Sequence, residues 1–180
     1  LNIERNEITD EKARQALNEA STRLALIAKI HRRLHDPGGA QLRFGPFMED
    51  LCRDVLDAAG AGNVVCLVSA AEAVVPNDKL VPVALIVTEL ISNALEHGFS
   101  GRAQGTIRVD LSTEGTDQVL TIADDGNGLP AGFTLESASG MGLRIVQALA
   151  QQIEGRFAME GGAGTTSKIV FQSASLASPA

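Results

Sequence analysis

The sequence predicts an α+β fold in which a helical appendage precedes one packed core. Three observations predict it. Residues 10–35 carry a heptad seam, Pro82–Gly98 reads as a helix that is apolar over most of its surface, and two strand-like runs border glycine-rich turns.

In chain order, Thr9-Asp10-Glu11 caps a long helix that ends before Pro37-Gly38-Gly39. Ala13, Leu17, Ala20, Leu24, Ile27, His31 and Leu34 alternate spacings of four and three, which sets them on one stripe. A stripe of that length must be covered by another helix, from this chain or from a second copy. Gln41-Leu42-Arg43-Phe44 reads as short and extended. Phe47–Ala58 reads as a helix with Met48, Leu51, Val55 and Leu56 inward.

The next helix has Pro82 in its first turn and Gly98 at its end. Thr88, Glu89, Ser92, Asn93, Glu96 and His97 fall on one polar seam, while Val83, Ile86, Val87, Leu90, Ile91, Ala94 and Leu95 cover the rest. A seam facing solvent is the plainer account. An acid and an amide four residues apart also suit orienting a water and holding a divalent ion.

Gln118–Ala123 reads as a buried strand that stops at Asp124-Asp125-Gly126-Asn127-Gly128. A carboxylate thus stands at a strand end where glycine lets a ligand approach the backbone closely, although Asp-Gly also marks ordinary turns. Leu129–Ser139, with Gly132, Phe133 and Ser137, has no helix or strand period and reads as a lid. Ser139-Gly140-Met141-Gly142-Leu143 opens an apolar-periodic helix, and uncrowded N–H groups at a helix start suit a phosphate. Gly161-Gly162-Ala163-Gly164-Thr165-Thr166 reads as a hairpin turn before the strand Ser167–Phe171. From about Ser173 an Ala/Ser/Pro tail reads as disordered.

Composition bounds the function. With 180 residues and 44% hydrophobic content, the chain can bury one good core, or a core plus a helical appendage. A net charge of −7 argues against nucleic acid and anionic membrane as partners. No apolar run reads as a membrane span, and no signal peptide opens the chain. Cys52 and Cys66 are too few for a disulfide framework and read as buried thiols of a reducing cytoplasm.

Together, and in this order, the glycine motifs and the amide-bearing helix resemble the ATP-binding domain shared by gyrase-type ATPases and sensor histidine kinases. Glu89-x-x-x-Asn93-Ala94 is similar to that family's N box, Asp124-x-Gly126-x-Gly128 to its G1 box, Gly140-Met141-Gly142-Leu143 to its G2 box, and Gly164-Thr165 to its terminal Gly-Thr. The resemblance implies a two-layer α/β sandwich over residues 61–172, preceded over 1–60 by the end of a dimerisation and phosphotransfer hairpin with a connector helix, and followed by the tail at 173–180. It implies that ATP and magnesium are bound. Asp124 would accept a hydrogen bond from the adenine amino group, and Asn93 would ligate magnesium. Glu89 would polarise the reacting group and share the metal. Gly126, Gly128, Gly140, Met141, Gly142 and Leu143 would line the lid and phosphate path, and Thr165 would support the adenine pocket, while His97 at the end of the helix serves packing or the nucleotide pocket. Glu96 departs from the family, many of whose members place Lys or Arg there.

The pattern Ala20-x-x-Arg23-Leu24-x-x-Ile27-Ala28-x-Ile30-His31-x-x-Leu34 resembles the sensor kinases related to the HWE group, and the absence of Trp points to the sister class. His31 lies on the heptad seam and reads as packed; His35 sits in the last turn, where a cation favours the helix dipole. The resemblance therefore places the phosphoacceptor upstream of Leu1. The function it implies is the cytoplasmic catalytic core of a two-component sensor kinase, which passes the γ-phosphoryl of ATP to a histidine and on to a response-regulator aspartate. A homodimer through the hairpin is implied, with a receiver domain as partner. The alternatives are an ATP-independent phosphotransfer or phosphatase scaffold and a partner-switching anti-sigma serine kinase.

Overall fold

The computed structural model describes Leu17, Ser21, Leu24, Ala25, Ala28 and residues 44–70, 75–137 and 140–172. The chain divides into two compact units, Leu1–Leu42 and Arg43–Ala180. In the first, the five described residues are helical, and Leu17 and Leu24 are exposed, Leu24 by 57%. Ala13, Ala20, Ile27, His31 and Leu34 of the expected seam lie outside the described residues, as do His35 and the tail.

The second unit runs α1 (Phe44–Ala58), β1 (Val64–Ser69), α2 (Asn77–Asn93), a π-helical turn (Ala94–Gly98), β2 (Gly105–Glu114), β3 (Asp117–Asp124), a 3₁₀ turn (Leu135–Ser137), α3 (Met141–Gln152), β4 (Arg156–Gly162) and β5 (Gly164–Gln172). The strands form one sheet in the order β1-β2-β3-β5-β4. Only β1 and β2 are parallel; a parallel pair needs a long crossover, and α2 lies within it. The other pairs are antiparallel. Alternation along β2 buries Ile107, Val109 and Leu111, which meet Leu120 and Ile122 of β3 and, through β5, Ile169 and Phe171. The helices supply the second layer: α2 packs on both α1 and α3, burying Val83, Ala84, Ile86, Val87, Leu90 and Ile91. This is the two-layer α/β sandwich that the resemblance implies.

Element ends differ from the sequence reading: the last hairpin is tighter than the expected turn over 161–166, because β4 runs to Gly162 and β5 starts at Gly164. α1 begins at Phe44, earlier than expected, because Phe44 and Phe47 are both buried and pack with tilted rings, centroids 6.5 Å apart. α2 begins at Asn77, so Pro82 lies inside it. Proline in a helix interior removes one i→i−4 bond, and here the ring is itself buried in the core. Burial also explains the composition of this helix. Asn77–Gly98 is long and apolar enough to cross a membrane, contrary to the sequence reading, yet 61% of its apolar window is buried within the domain.

Cys52 of α1 is buried and Cys66 of β1 is half-buried, both as free thiols. The hydrogen bond from Cys52 to the Cys66 sulfur, together with burial, pushes the Cys52 thiol well up, while the same bond holds Cys66 below the ordinary thiol value.

Candidate functional site

A cavity of about 580 Å³ opens between the end of α2, the inner face of β3-β5-β4 and the start of α3. That volume is in the range of small-molecule sites. From α2 and its π turn, Leu90, Asn93, Ala94, His97 and Gly98 line it. These positions recur at helical spacing, so one stripe faces the cavity. This stripe is not the polar seam expected from sequence, which splits. Ser92 and Glu96 are exposed, Thr88 and Glu89 are buried, and only Asn93 and His97 reach the cavity wall.

Asp124, the last residue of β3, stands on the wall. Its Oδ1 accepts the N–H of Gly126 at 2.9 Å and that of Thr165 at 3.3 Å. Two donors on one oxygen fix the carboxylate and leave Oδ2 as the acceptor for a ligand. The local glycines permit this. A Cβ at Gly126 would lie 2.4 Å from the Gly98 carbonyl oxygen, and Gly164 adopts φ +111° with its Cβ position only 1.8 Å from the Asp124 carbonyl oxygen. No other residue fits either place. The Asn127 N–H donates to that same Gly98 oxygen at 2.8 Å, tying the glycine turn to the end of the π turn.

The neighbouring acid has a different job. Asp125 Oδ1 accepts the Thr106 N–H at 2.8 Å while its own N–H donates to the Thr106 carbonyl at 3.2 Å. The Thr106 N–H, the largest cause, holds the Asp125 carboxyl below its ordinary value. Asp125 thus closes the end of the β2-β3 ladder, and Asp124 alone faces the cavity.

Opposite Asp124, α3 begins at Met141 after an extended Gly140 that has no side-chain cap. First-turn N–H groups of a helix have no intrahelical partner and favour an anion. Gly140 and Leu143 line the cavity, whereas Met141 is 61% exposed and is not on its wall. Gly142 lies behind. A Cβ there would sit 3.1 Å from Glu89 Oε2 and 3.3 Å from Asn93 Oδ1, so the acid and the amide meet the start of α3 together. Glu89 is only 8% exposed. Among the described residues, Asn93 Nδ2 is buried with no hydrogen-bond partner, an uncommon state for a buried donor.

The cavity thus gathers Asn93, His97, Asp124, Gly128, Gly140, Leu143 and Thr165 from the sequence-expected set. Glu89, Gly126 and Gly142 stand directly behind the wall. Gly128 adopts φ +75° beside the Gly162 and Gly164 carbonyls. The segment after it is irregular up to the 3₁₀ turn at Leu135–Ser137 and contributes Leu129, Pro130 and Phe133 to the wall. Sequence reasoning missed Ile122, Met159 and Ser167. The strand period could have found Ile122 and Ser167, each two residues from a recognised one and so on the same face.

The family model described as "Histidine kinase-like ATPase domain" matches residues 58–169, and one described as "Histidine kinase" matches residues 1–59. The chain is 30% identical over 153 residues to the sensor histidine kinase PdtaS of Mycolicibacterium smegmatis, covering 83% of this chain but 30% of that protein. An anti-sigma F factor of Bacillus thuringiensis is 29% identical over only 43% of this chain, which spans 60% of that protein. Among solved structures, the histidine kinase domain of a blue-light-activated kinase from Erythrobacter litoralis matches with a TM-score of 0.75 and 25% identity, covering 85% of this chain and 74% of that one.

Proposed function

The chain belongs to the histidine kinase-like ATPase domain family, and from that premise we propose that it is the catalytic core of a cytoplasmic two-component sensor histidine kinase. It binds Mg-ATP and passes the γ-phosphoryl to a histidine and then to a response-regulator aspartate. The observation that carries the reading is Asp124, held by two backbone N–H groups at the head of the cavity and facing the uncapped start of α3. Asp124 Oδ2 accepts the adenine amino group, and the N–H groups of Gly140, Met141 and Gly142 receive phosphate oxygens. His97 stands where the phosphates pass, and Phe133 closes over the nucleotide with its segment.

Magnesium fits the residues present. Asn93 and Glu89 set an amide oxygen beside a carboxylate at the phosphate end, and the unpartnered Asn93 amide lacks the hydrogen bonds that would otherwise fix it. Magnesium is held by one or two carboxylate or amide oxygens plus substrate phosphates; when bound, it neutralises phosphate charge. Glu89, buried beside Asn93, polarises the attacking imidazole. The exposed Leu17 and Leu24 support a helix seam that a second copy covers, giving a homodimer that docks a receiver domain. The similarity to anti-sigma F factors covers less of the chain than that to the sensor kinase, which favours a histidine acceptor over a serine one.

The test uses the full-length protein and γ-labelled ATP. Acid-labile, base-stable label is expected, with Glu89→Gln reducing it strongly while ADP affinity is kept. ADP binding without any label on the wild type would instead support the ATP-independent scaffold.

A further inference from the structure

The cavity wall carries a second polar side chain that no sequence motif marks. Ser167 of β5 pairs with Ile122 of β3 on one side and Met159 of β4 on the other, and all three line the cavity. The residue is 3% exposed, and among the described residues no group hydrogen-bonds its hydroxyl. The hydroxyl is thus free to meet a ligand that enters the cavity whose wall Ser167 lines. The flanking Ile122 and Met159 offer no strong donor or acceptor.

Position decides what Ser167 can meet. Thr165 and Ser167 lie on the same face of β5, about 7 Å apart along the strand. The Thr165 N–H is already given to Asp124 Oδ1. One residue beyond the last ladder pair, Ala123 with Thr166, Asp124 comes opposite Thr165, so Ser167 is its diagonal neighbour on the sheet. A base whose 6-amino group donates to Asp124 Oδ2 presents a ring nitrogen, N1, as the next atom on that edge. N1 is an acceptor, which a carboxylate cannot satisfy.

We propose that Ser167 is a further adenine-binding residue, its hydroxyl donating to adenine N1 directly or through one water. The inference rests on the adenine-nucleotide reading above. It makes recognition of the edge two-part, with an acceptor at Asp124 for the amino group and a donor at Ser167 for the ring. The apolar Ile122, Met159 and Leu90 flank the faces of the base.

The test is calorimetric titration of the wild type and Ser167→Ala with ADP, 1-deaza-ADP and 7-deaza-ADP. Wild type is expected to bind 1-deaza-ADP about tenfold more weakly than ADP, the loss of one hydrogen bond, and 7-deaza-ADP as it binds ADP. Ser167→Ala is expected to bind ADP about tenfold more weakly and to bind ADP and 1-deaza-ADP equally. Ser167→Thr, which keeps the hydroxyl, is expected to keep the discrimination. Equal binding of ADP and 1-deaza-ADP by wild type would overturn the inference without any variant. So would discrimination that persists in Ser167→Ala and disappears in Thr165→Ala. In both cases tight ADP binding would leave the nucleotide reading standing, whereas no ADP binding by wild type would remove both.

Discussion

Asp124→Asn removes one charge and replaces one acceptor with a donor. Oδ1 already accepts from Gly126 at 2.9 Å and Thr165 at 3.3 Å, and an amide oxygen can keep those two bonds. The amide nitrogen must then take the Oδ2 place and point a donor at the adenine amino group, itself a donor. The lost interaction is a charge-assisted hydrogen bond, roughly 1.5–3 kcal/mol, so ADP affinity falls by about one to two decades. The protein stays folded, because both bonds that shape the glycine turn survive. Calorimetry with ADP in the absence of metal isolates the base contact from the phosphate end. Equal affinity of wild type and Asp124→Asn, with matching melting curves, would refute the assignment of Asp124 to the base.

Gly164→Ala is expected to destabilise the fold by ~3 kcal/mol or more, read from denaturant unfolding, because φ is +111° and a Cβ there would overlap the Asp124 carbonyl. Asn93→Ala is expected to weaken the magnesium dependence of ATP binding more than it weakens ADP binding without metal; equal losses would make Asn93 a structural residue. Asp125 has a depressed carboxyl pKa in the fold, so its contribution is present above the unfolded value and is lost as pH falls through the folded one. Asp125→Asn should therefore flatten the acid limb of stability below about pH 4, measured against wild type by urea unfolding. Iodoacetamide is expected to modify half-buried Cys66, whose pKa is lowered, long before buried Cys52, whose pKa is raised, as followed by mass spectrometry.

What was legible in the sequence was local. Asp124-x-Gly126-x-Gly128 can be read from five residues because a strand, an acid and a forced turn follow one another along the chain. The start of α3 was legible for the same reason. What depends on packing was not. Pro82 reads as a helix start, but tertiary burial carries α2 back to Asn77. The polar seam reads as one surface, yet Glu89 is covered by α3 and faces Gly142, a contact that no spacing within α2 predicts. Asp124 and Asp125 look equivalent in sequence; strand pleating separates them, sending one to the cavity and the other to Thr106. Ser167 carries no motif at all, and only the register of β3, β5 and β4 puts it on the cavity wall.

The central claim is that this cavity is an ATP site with its metal end at Asn93, and a calorimetric titration of the chain with ATP, with and without magnesium, tests it most directly. The account predicts saturable binding of one nucleotide per chain, tighter with magnesium and weakened by Asp124→Asn. Folded wild-type protein that shows no saturable binding of ATP or ADP under either condition would contradict it.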